Sequence, residues 1–593
     1  MTATPLAPEQ VHALGPAAQG VAGDAASPEA VKKLSRQIAG SGLKTQKKAV
    51  ERLRAALAAI RSKDFALGAQ RALEALALNE KNGVAWHVLA ICQEKAGNLA
   101  QAIQAYEAAL QLLPNETDIA HDLGRLAQQL GYLDIAEKLL LKYLNANPGH
   151  IEATNNLACV LRDQKRYGDA VETLRGLIAL ETGSPILWNT LGTVLSDQGD
   201  LATALTFFEE ALSLDPGFAK ARYNRANARS PLGDTDGALA DVEAAMPGAE
   251  SPYETAMMRM ARAMLLMSLG RIPEGFEAYE VRLDRSIPDA MRVAIDAPRW
   301  RPEDEDIRGR RLMVVGEQGI ADEMLFGTCL TDLVDAVGAD GQVFIAVEKR
   351  LVEMFQRTFP TAVVGAHRAV KLEGRITRYV PFVDDLEPKL DAWVPMASLM
   401  AIYRSTIQSF PDRRGYLKVD PVRLKRWKAE LEALGSGIKV GLHWKSLVLD
   451  GARQRYFSSF DRWEPVLTTP GAIMVNLQCG DVSDDLAMAE AAGVRIWTPP
   501  INLKDDLEDV AALSLALDVV IGPGIAGVNL AAAVGANTWM TTAPDDWHFL
   551  GTDVYPFYPH VRFFRRASYD WSDAILQIRE ALDQVVLAGN VRS

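Results

Sequence analysis

The sequence predicts two architectures in series, an α-helical solenoid followed by an α/β region of two Rossmann-like lobes. Three observations carry that expectation. The first half repeats itself every 34 residues, and the second half alternates short apolar runs with helical stretches. Across 593 residues, 48% hydrophobic and 23% charged side chains supply several packed cores rather than a disordered chain. At about 150 residues per domain, that length allows roughly four domain-sized units.

Charge and cysteine content narrow the function classes. With 63 Lys and Arg against 76 Asp and Glu, the net charge is −13. An acidic surface argues against broad nucleic-acid binding, which needs a basic face, but leaves room for a small phosphate ligand in a local pocket. Cys92, Cys159, Cys329 and Cys479 show no short spacing, and the eight histidines form no zinc-like cluster. Reduced, buried thiols in a cytoplasmic protein are the expectation. Residues 1–30 are rich in Ala, Pro and Gly and lack a basic start followed by an apolar run, so they predict a flexible tail rather than a signal peptide. The apolar stretch 511–536 contains Asp518, Pro523 and four glycines. Its breakers predict a helix, strand, turn and helix rather than a membrane span, and no membrane partner is expected.

The repeat is read from residue 85 onward. Trp86, Leu89, Ala90, Gly97, Ala102, Tyr106, Ala109 and Pro114 follow a helix–turn–helix rhythm. One period on stand Leu123, Gly124, Gly131, Ala136 and Pro148; the next brings Leu157, Ala158 and Ala170. The one after brings Trp188, Leu191, Gly192, Gly199, Ala204, Phe208, Ala211 and Pro216. Small residues recur where paired helices approach closely, and a proline recurs at the exit. This pattern resembles tetratricopeptide repeats. Weaker units carry Ala226, Gly233 and Ala238, then Gly270, Gly275 and Tyr279 after three inserted residues, and a degenerate unit precedes the array. The expectation is a tail and lead-in helix over 1–48, then about six helix pairs over 49–284. Their concave face suits an extended peptide or partner helix, with a spacer or dimerisation arm as the blander reading.

Residues 285–308, with Pro288, Pro298, Trp300 and Pro302, read as a linker. A first lobe follows over 309–420, with strands at 311–316, 342–347, 361–364 and 392–395 and helices at 323–337 and 349–359. The second lobe, 421–593, has its first strand unit beginning at Gly437-Ile-Lys-Val-Gly-Leu-His-Trp-Lys-Ser446, further strands at 473–477, 494–497, 519–521 and 537–541, helices at 486–491, 507–515 and 528–534, and a closing helix at 571–586. Strands alternating with helices place binding loops at strand C-termini.

Several ordered motifs lie in this half. They are Gly316-Glu317-Gln318-Gly319-Ile320-Ala321-Asp322-Glu323, His443-Trp444-Lys445-Ser446, Asn476-Leu477-Gln478, residues 506–513, 517–521 and 529–535, Asp546-Trp547, and Tyr555-Pro556-Phe557-Tyr558-Pro559. Together they resemble tetratricopeptide-linked GT-B glycosyltransferases, distant relatives of the heptosyltransferases, and with the repeats most resemble flagellin O-glycosyltransferases of the FlmG type. The resemblance implies an inverting, metal-independent GT-B enzyme with an acceptor-side first lobe and a nucleotide-sugar-side second lobe. It implies transfer of a CMP-activated nonulosonic acid, of pseudaminic or legionaminic type, to Ser or Thr of flagellin held by the repeats, in support of flagellum assembly and motility. The nucleotide sugar is a substrate, and no cofactor or metal is implied. It further implies that Asp322 is the general base. Two departures stand out, Ala321 where the family pattern has glycine, and Gly522-Pro523-Gly524-Ile525-Ala526-Gly527 where relatives carry an Asp-Thr pair. They keep open a scaffold with a catalytically inactive transferase-like domain; transfer from a nucleoside-diphosphate sugar such as UDP-N-acetylglucosamine is the other alternative.

The residues themselves support a donor set. Lys445 follows a strand, where it can neutralise a departing phosphate, and Ser446 can cap the same turn. The glycine turn around Gly524 exposes backbone N–H groups to an anion, and Asn529 begins the helix after it. Gln478 reads equally as a base or ribose contact and as a loop pin. Trp444 and Trp547 are broad enough to stack on a base, though buried packing is the commoner role. His443 reads at least as well as a satisfied core histidine. Asp322 reads as a base or as the cap of the following helix, with Glu317 the next candidate base. Neither Asp505-Asp506 nor Asp384-Asp385 makes a metal-binding turn; the first pair starts a helix, where acids complement the dipole.

Overall fold

A computed structural model describes residues 23–40, 47–288, 290–301, 306–372, 375–447, 456–544, 546–566 and 571–590. The expected tail over 1–22, part of the lead-in (41–46) and Pro302 of the expected linker lie outside the described residues. The chain divides into two compact units, Ala17–Asn224 and Arg225–Ser593. The division falls inside the helix Ala219–Arg229, within the helical array rather than at the expected linker.

The first unit is built of antiparallel helix pairs. Lys47–Arg61 pairs with Phe65–Leu78, Gly83–Lys95 with Leu99–Leu112, and Thr117–Gln129 with Leu133–Ala146. Ile151–Asp163 pairs with Tyr167–Ile178, and Pro185–Gln198 with Leu201–Leu214. Alanines at the close approaches, such as Ala72, Ala85, Ala102 and Ala109, are fully buried. A Cβ on Gly192 would stand 2.5 Å from the Phe208 ring, which is why that position stays glycine. Further along the chain, Ala219–Arg229 with Thr235–Ala245 and Pro252–Ser268 with Ile272–Ala278 complete seven pairs among the described residues, where about six are expected. Both the degenerate opening unit and the displaced last unit form complete pairs.

The turn inside each pair is set by one backbone position. Lys63, Gly97, Gly131, Lys165, Gly199 and Gly233 follow one another at the 34-residue period, all in the left-handed region with φ between 60° and 101°. Glycine adopts this conformation freely, whereas a residue with Cβ is strained there. Two lysines therefore carry backbone strain where the other turns carry none. We expect Lys63→Gly and Lys165→Gly each to raise stability by about 0.5–1 kcal/mol in urea denaturation, against the usual loss on introducing glycine.

In the second unit the strands are β1 Arg292–Ala294, β2 Arg311–Val315, β3 Gln342–Val347, β4 Val363–Ala366, β5 Arg368–Leu372, β6 Arg375–Tyr379, β7 Ala392–Pro395, β8 Ile438–Leu442, β9 Ala472–Asn476, β10 Ile496–Trp497, β11 Val519–Pro523, β12 Thr538–Thr542 and β13 Arg562–Arg565. They form a parallel sheet of order β4-β3-β2-β7, a parallel sheet of order β10-β9-β8-β11-β12-β13, and a small sheet of order β1-β6-β5. The expected linker is thus partly structured. β1 pairs with β6, and the Trp300 N–H donates to the Trp393 carbonyl at 2.7 Å, adding this segment to the edge of β7. The single helix expected over 323–337 is two, Ile320–Phe326 and Leu330–Val337, joined by a 3-10 turn at Gly327–Cys329. A Cβ on Gly327 would meet the Tyr416 hydroxyl at 2.4 Å, so that turn is packed tight.

One core runs through the second unit. Met260, Met264 and Phe276 of the last helix pair join Val314, Phe326, Phe355, Leu530, Met540 and Tyr558 from both large sheets. The helices Ile320–Phe326 and Ala526–Ala533 pack together, and the Tyr416 and Leu417 N–H groups donate to the Ala533 carbonyl at 2.7 and 2.9 Å. Residues 511–536 form the expected helix, strand, turn and helix. Among the described residues no helix is long and apolar enough to cross a membrane.

Candidate functional site

Strand order reverses between β2 and β7 in one sheet and between β8 and β11 in the other. In open parallel sheets the crevice at such a reversal, at the strand C-termini, is where ligands bind. The segments leaving β2, β8, β9 and β11 hold the sequence candidates.

After β2, the segment Gly316–Asp322 is clamped from two sides. Glu317, 1% exposed, accepts Nε and Nη2 of Arg282 at 2.8 Å each and the Ala397 N–H at 2.8 Å. It is thus already committed to an ion pair, unlike a poised base. Arg282 also reaches Glu280 at 2.9 Å; burial pushes Glu280 up, but Arg282, Ser398 and Arg299 outweigh it and hold it near 2. On the other side, Arg378 of β6 donates to the carbonyls of Gly316 and, at 2.7 Å, Gln318. Glu323 receives His367 Nε2 at 2.7 Å, Arg378 at 3.2 Å and the Glu348 N–H at 2.7 Å. Burial raises the Glu323 carboxyl, and these cations and donors lower it below its ordinary value. Gln318 is held at φ 58°, a strained conformation for a residue with Cβ, and its Nε2 donates to the Tyr279 hydroxyl at 2.7 Å.

Asp322 lies between these clamps and has no cation of its own among the described residues. It is the third residue of its helix rather than the residue before it, and its Oδ2 accepts the Gly319 N–H at 2.9 Å. The capping role is therefore real, but as the returning side chain of the first turn. Burial, with Glu317 and Glu323 adding like charge, pushes the Asp322 carboxyl from 3.8 up to about 7 despite that hydrogen bond. Beside it, burial, Asp546, Tyr558 and Asp322 push the Tyr555 phenol well up. Asp546 holds Nδ1 of His548 at 2.5 Å and accepts the Thr542 hydroxyl at 3.0 Å. Trp547 is buried against Tyr279 and Phe557, which is the packing role.

The loop after β8 gathers four of the sequence candidates. Gln478 Oε1 accepts the N–H groups of both Trp444 and Lys445 at 3.0 Å, so it is the loop pin. Trp444 is buried against Phe460, and its Nε1 donates to Asp485 at 2.9 Å, leaving no open face for stacking on a base. Lys445 is half-buried and its Nζ meets the same carboxylate at 2.6 Å. Ser446 is buried beside it. Across the reversal, Asn529 is buried and donates to the Ile525 carbonyl at 3.1 Å, a contact within its own turn. Gly524 is loosely surrounded: a Cβ there would stand 3.4 Å from Met540 Sδ, ordinary contact. Gly522 and Gly527 are the sterically required glycines, since Cβ atoms there would meet His443 at 2.7 and 2.3 Å. His443 is 3% exposed and held neutral, burial pushing its pKa down to about 3. It is a core histidine but not a satisfied one, because neither ring nitrogen has a partner among the described residues.

The fold thus joins Trp444, Lys445 and Gln478, with Ser446 beside them, beyond the ends of β8 and β9; Gly524 and Asn529 follow the paired strand β11, and Asp322 sits on the helix packed against that of Asn529. Sequence reasoning named Tyr279 only as a repeat position and missed Arg282, Arg378, Asp485 and His548, none of which sits in a motif. The raised Asp322 carboxyl has a stability consequence. The unfolded chain gives up this proton from about pH 4, the native one only near pH 7, so stability falls between those values and the penalty is complete above them. Asn keeps an amide oxygen that can accept the same Gly319 N–H. The stability of the wild type relative to Asp322→Asn therefore declines from about pH 4 to about pH 7 in urea denaturation.

Tetratricopeptide repeat families match residues 53–117, 94–158 and 185–218. Tetratricopeptide repeat protein 7B of Homo sapiens is 30% identical over 119 residues, 20% of this chain and 14% of that protein. Among solved structures, a tetratricopeptide repeat protein from Parabacteroides merdae is 18% identical with a TM-score of 0.36, covering 40% of this chain and 93% of its own. Protein FlbA of Caulobacter vibrioides is 46% identical over 563 residues, 94% of each chain. Identity at that level along almost the full length of both proteins means that this chain belongs to the family of Protein FlbA.

Proposed function

We propose that the protein is a GT-B protein O-glycosyltransferase that moves a nucleotide-activated sugar, a CMP-linked nonulosonic acid, onto Ser or Thr of flagellin captured by its repeats. The observation that carries this reading is the buried, near-neutral carboxyl of Asp322 at the end of one sheet, set against a lysine and a glycine turn at the end of the other. The acceptor and the sugar follow from the resemblance to FlmG-type enzymes.

In this reading Asp322, half ionised near pH 7, takes the hydroxyl proton as the oxygen attacks the anomeric carbon. The bond from that carbon to the phosphate oxygen breaks, and CMP departs with the electron pair. Lys445 and the open N–H groups at the start of Ala526–Ala533 face the charge that builds on the leaving phosphate. Asp485 holds Lys445 in the crevice until a phosphate shares it. The scheme requires no metal.

A thermal-shift series on the purified protein with CMP, UDP and GDP tests the donor class, since a ligand that binds only the folded state raises the melting temperature. CMP is expected to shift it; no shift with any of the three removes the transferase reading. Lys445→Ala deletes a charge-assisted contact and exposes Asp485 to the phosphate, so calorimetry should show roughly tenfold weaker CMP binding or worse. Asp322→Asn should stay folded, bind acceptor normally and slow transfer by about 10²–10⁴-fold. Wild-type turnover by Asp322→Asn would leave that carboxyl as a helix cap alone.

A further inference from the structure

Strand β5 stands apart from the rest of the second unit. In the order β1-β6-β5 its outer edge pairs with no strand among the described residues, and all five of its residues, Arg368 to Leu372, are exposed. Unpaired edges of this kind template the addition of another strand. Val370, 43% exposed, shares a face with Arg368 and Leu372, while Lys371 points to the opposite face. The charge is also unusual. β1, β5 and β6 carry Arg292, Arg368, Lys371, Arg375 and Arg378 and no carboxylate, in a chain whose net charge is −13. Glu373, the one acid between β5 and β6 in sequence, lies outside the described residues. Arg378 is turned inward onto the loop carbonyls, and Arg375 donates to the Arg285 carbonyl. Arg368 and Lys371 therefore present their charge outward.

The edge begins beside the reactive loop. His367, the residue before β5, bonds Glu323, next to Asp322 in the chain, and Arg378 of the paired strand holds Gly316 and Gln318. We propose that β5 is a docking edge on which an extended acidic polypeptide segment adds as a further strand. That this segment belongs to the acceptor, and leads its hydroxyl toward Asp322, rests on the transferase reading; the docking itself does not. Backbone N–H and C=O groups of β5 supply the pairing, and Arg368 and Lys371 select acidic over basic segments. A second copy of β5 is a poor occupant, because it would crowd four cations onto one two-stranded ribbon.

The test uses the full chain and three labelled decapeptides in fluorescence anisotropy: alternating Glu-Val, alternating Lys-Val, and Glu-Val methylated on alternate backbone nitrogens. The first is expected to bind, and less tightly as salt rises; the other two should be at least about tenfold weaker. Arg368→Glu with Lys371→Glu should weaken the Glu-Val peptide by about tenfold or more and reverse the preference toward Lys-Val. Asp322→Asn should bind the peptide as the wild type does, so loss of transfer and loss of docking are read separately. Four results would each overturn the proposal. They are no binding of Glu-Val, unchanged affinity in the double variant (which makes the cations mere guards against edge pairing), full binding of the N-methylated peptide, and equal competition by a single-stranded oligonucleotide. Concentration-dependent dimerisation that the double variant abolishes would likewise reassign the edge to a second copy.

Discussion

The buried pair of Arg282 and Glu317 holds the end of the helical array and the first loop of the parallel sheets in one piece. Arg282 is 4% exposed at its side chain and Glu317 is 1% exposed, and two 2.8 Å hydrogen bonds join them. Such a pair is not a source of large net stability, because desolvation of both ions offsets most of their attraction. Its effect is on geometry. Glu317 can be buried only where Arg282 and the Ala397 N–H meet it, so the loop after β2 has one permitted position relative to the last helix pair. The shared core of Met264, Phe276, Val314 and Phe326 then forms around that fixed point.

The chemistry of Asp322 follows from this allocation of cations. Three carboxylates are buried within seven residues, and the two available arginines go to Glu317 and Glu323. The third carboxylate is left with a backbone N–H and two like charges, so it keeps its proton to near neutrality. A site of this type needs no unusual residue. It needs neighbours that use up the local positive charge before the third carboxylate is reached.

Much of this architecture is legible in the sequence where burial is symmetrical. β3 and β7 are apolar runs buried on both faces, and each stands at its expected bounds. The repeat is legible because its small residues recur at helix crossings. β1, β5, β6 and β13 were not readable, since Arg-rich stretches such as Arg368–Leu372 and Arg562–Arg565 look like polar loops. At the break, the close packing of Gly327 on the Tyr416 hydroxyl is not legible, because Tyr416 is remote in sequence. For the site, Asp322, Lys445 and Gln478 stand in motifs, but what each does depends on partners from elsewhere. Arg282 lies 35 residues before Glu317, and Asp485 lies 40 after Lys445. Those pairings follow from tertiary packing and leave no periodic trace.

His443 wedges beneath the Gly522–Gly527 turn with its ring touching the space where side chains would be. Because burial keeps it uncharged down to about pH 3, the imidazole adds no titrating charge to the turn anywhere in the range in which cells live. The backbone N–H groups of that turn offer an anion fixed dipoles that do not titrate. Acidification of the surroundings would therefore not strengthen the turn's hold on an anion through this histidine.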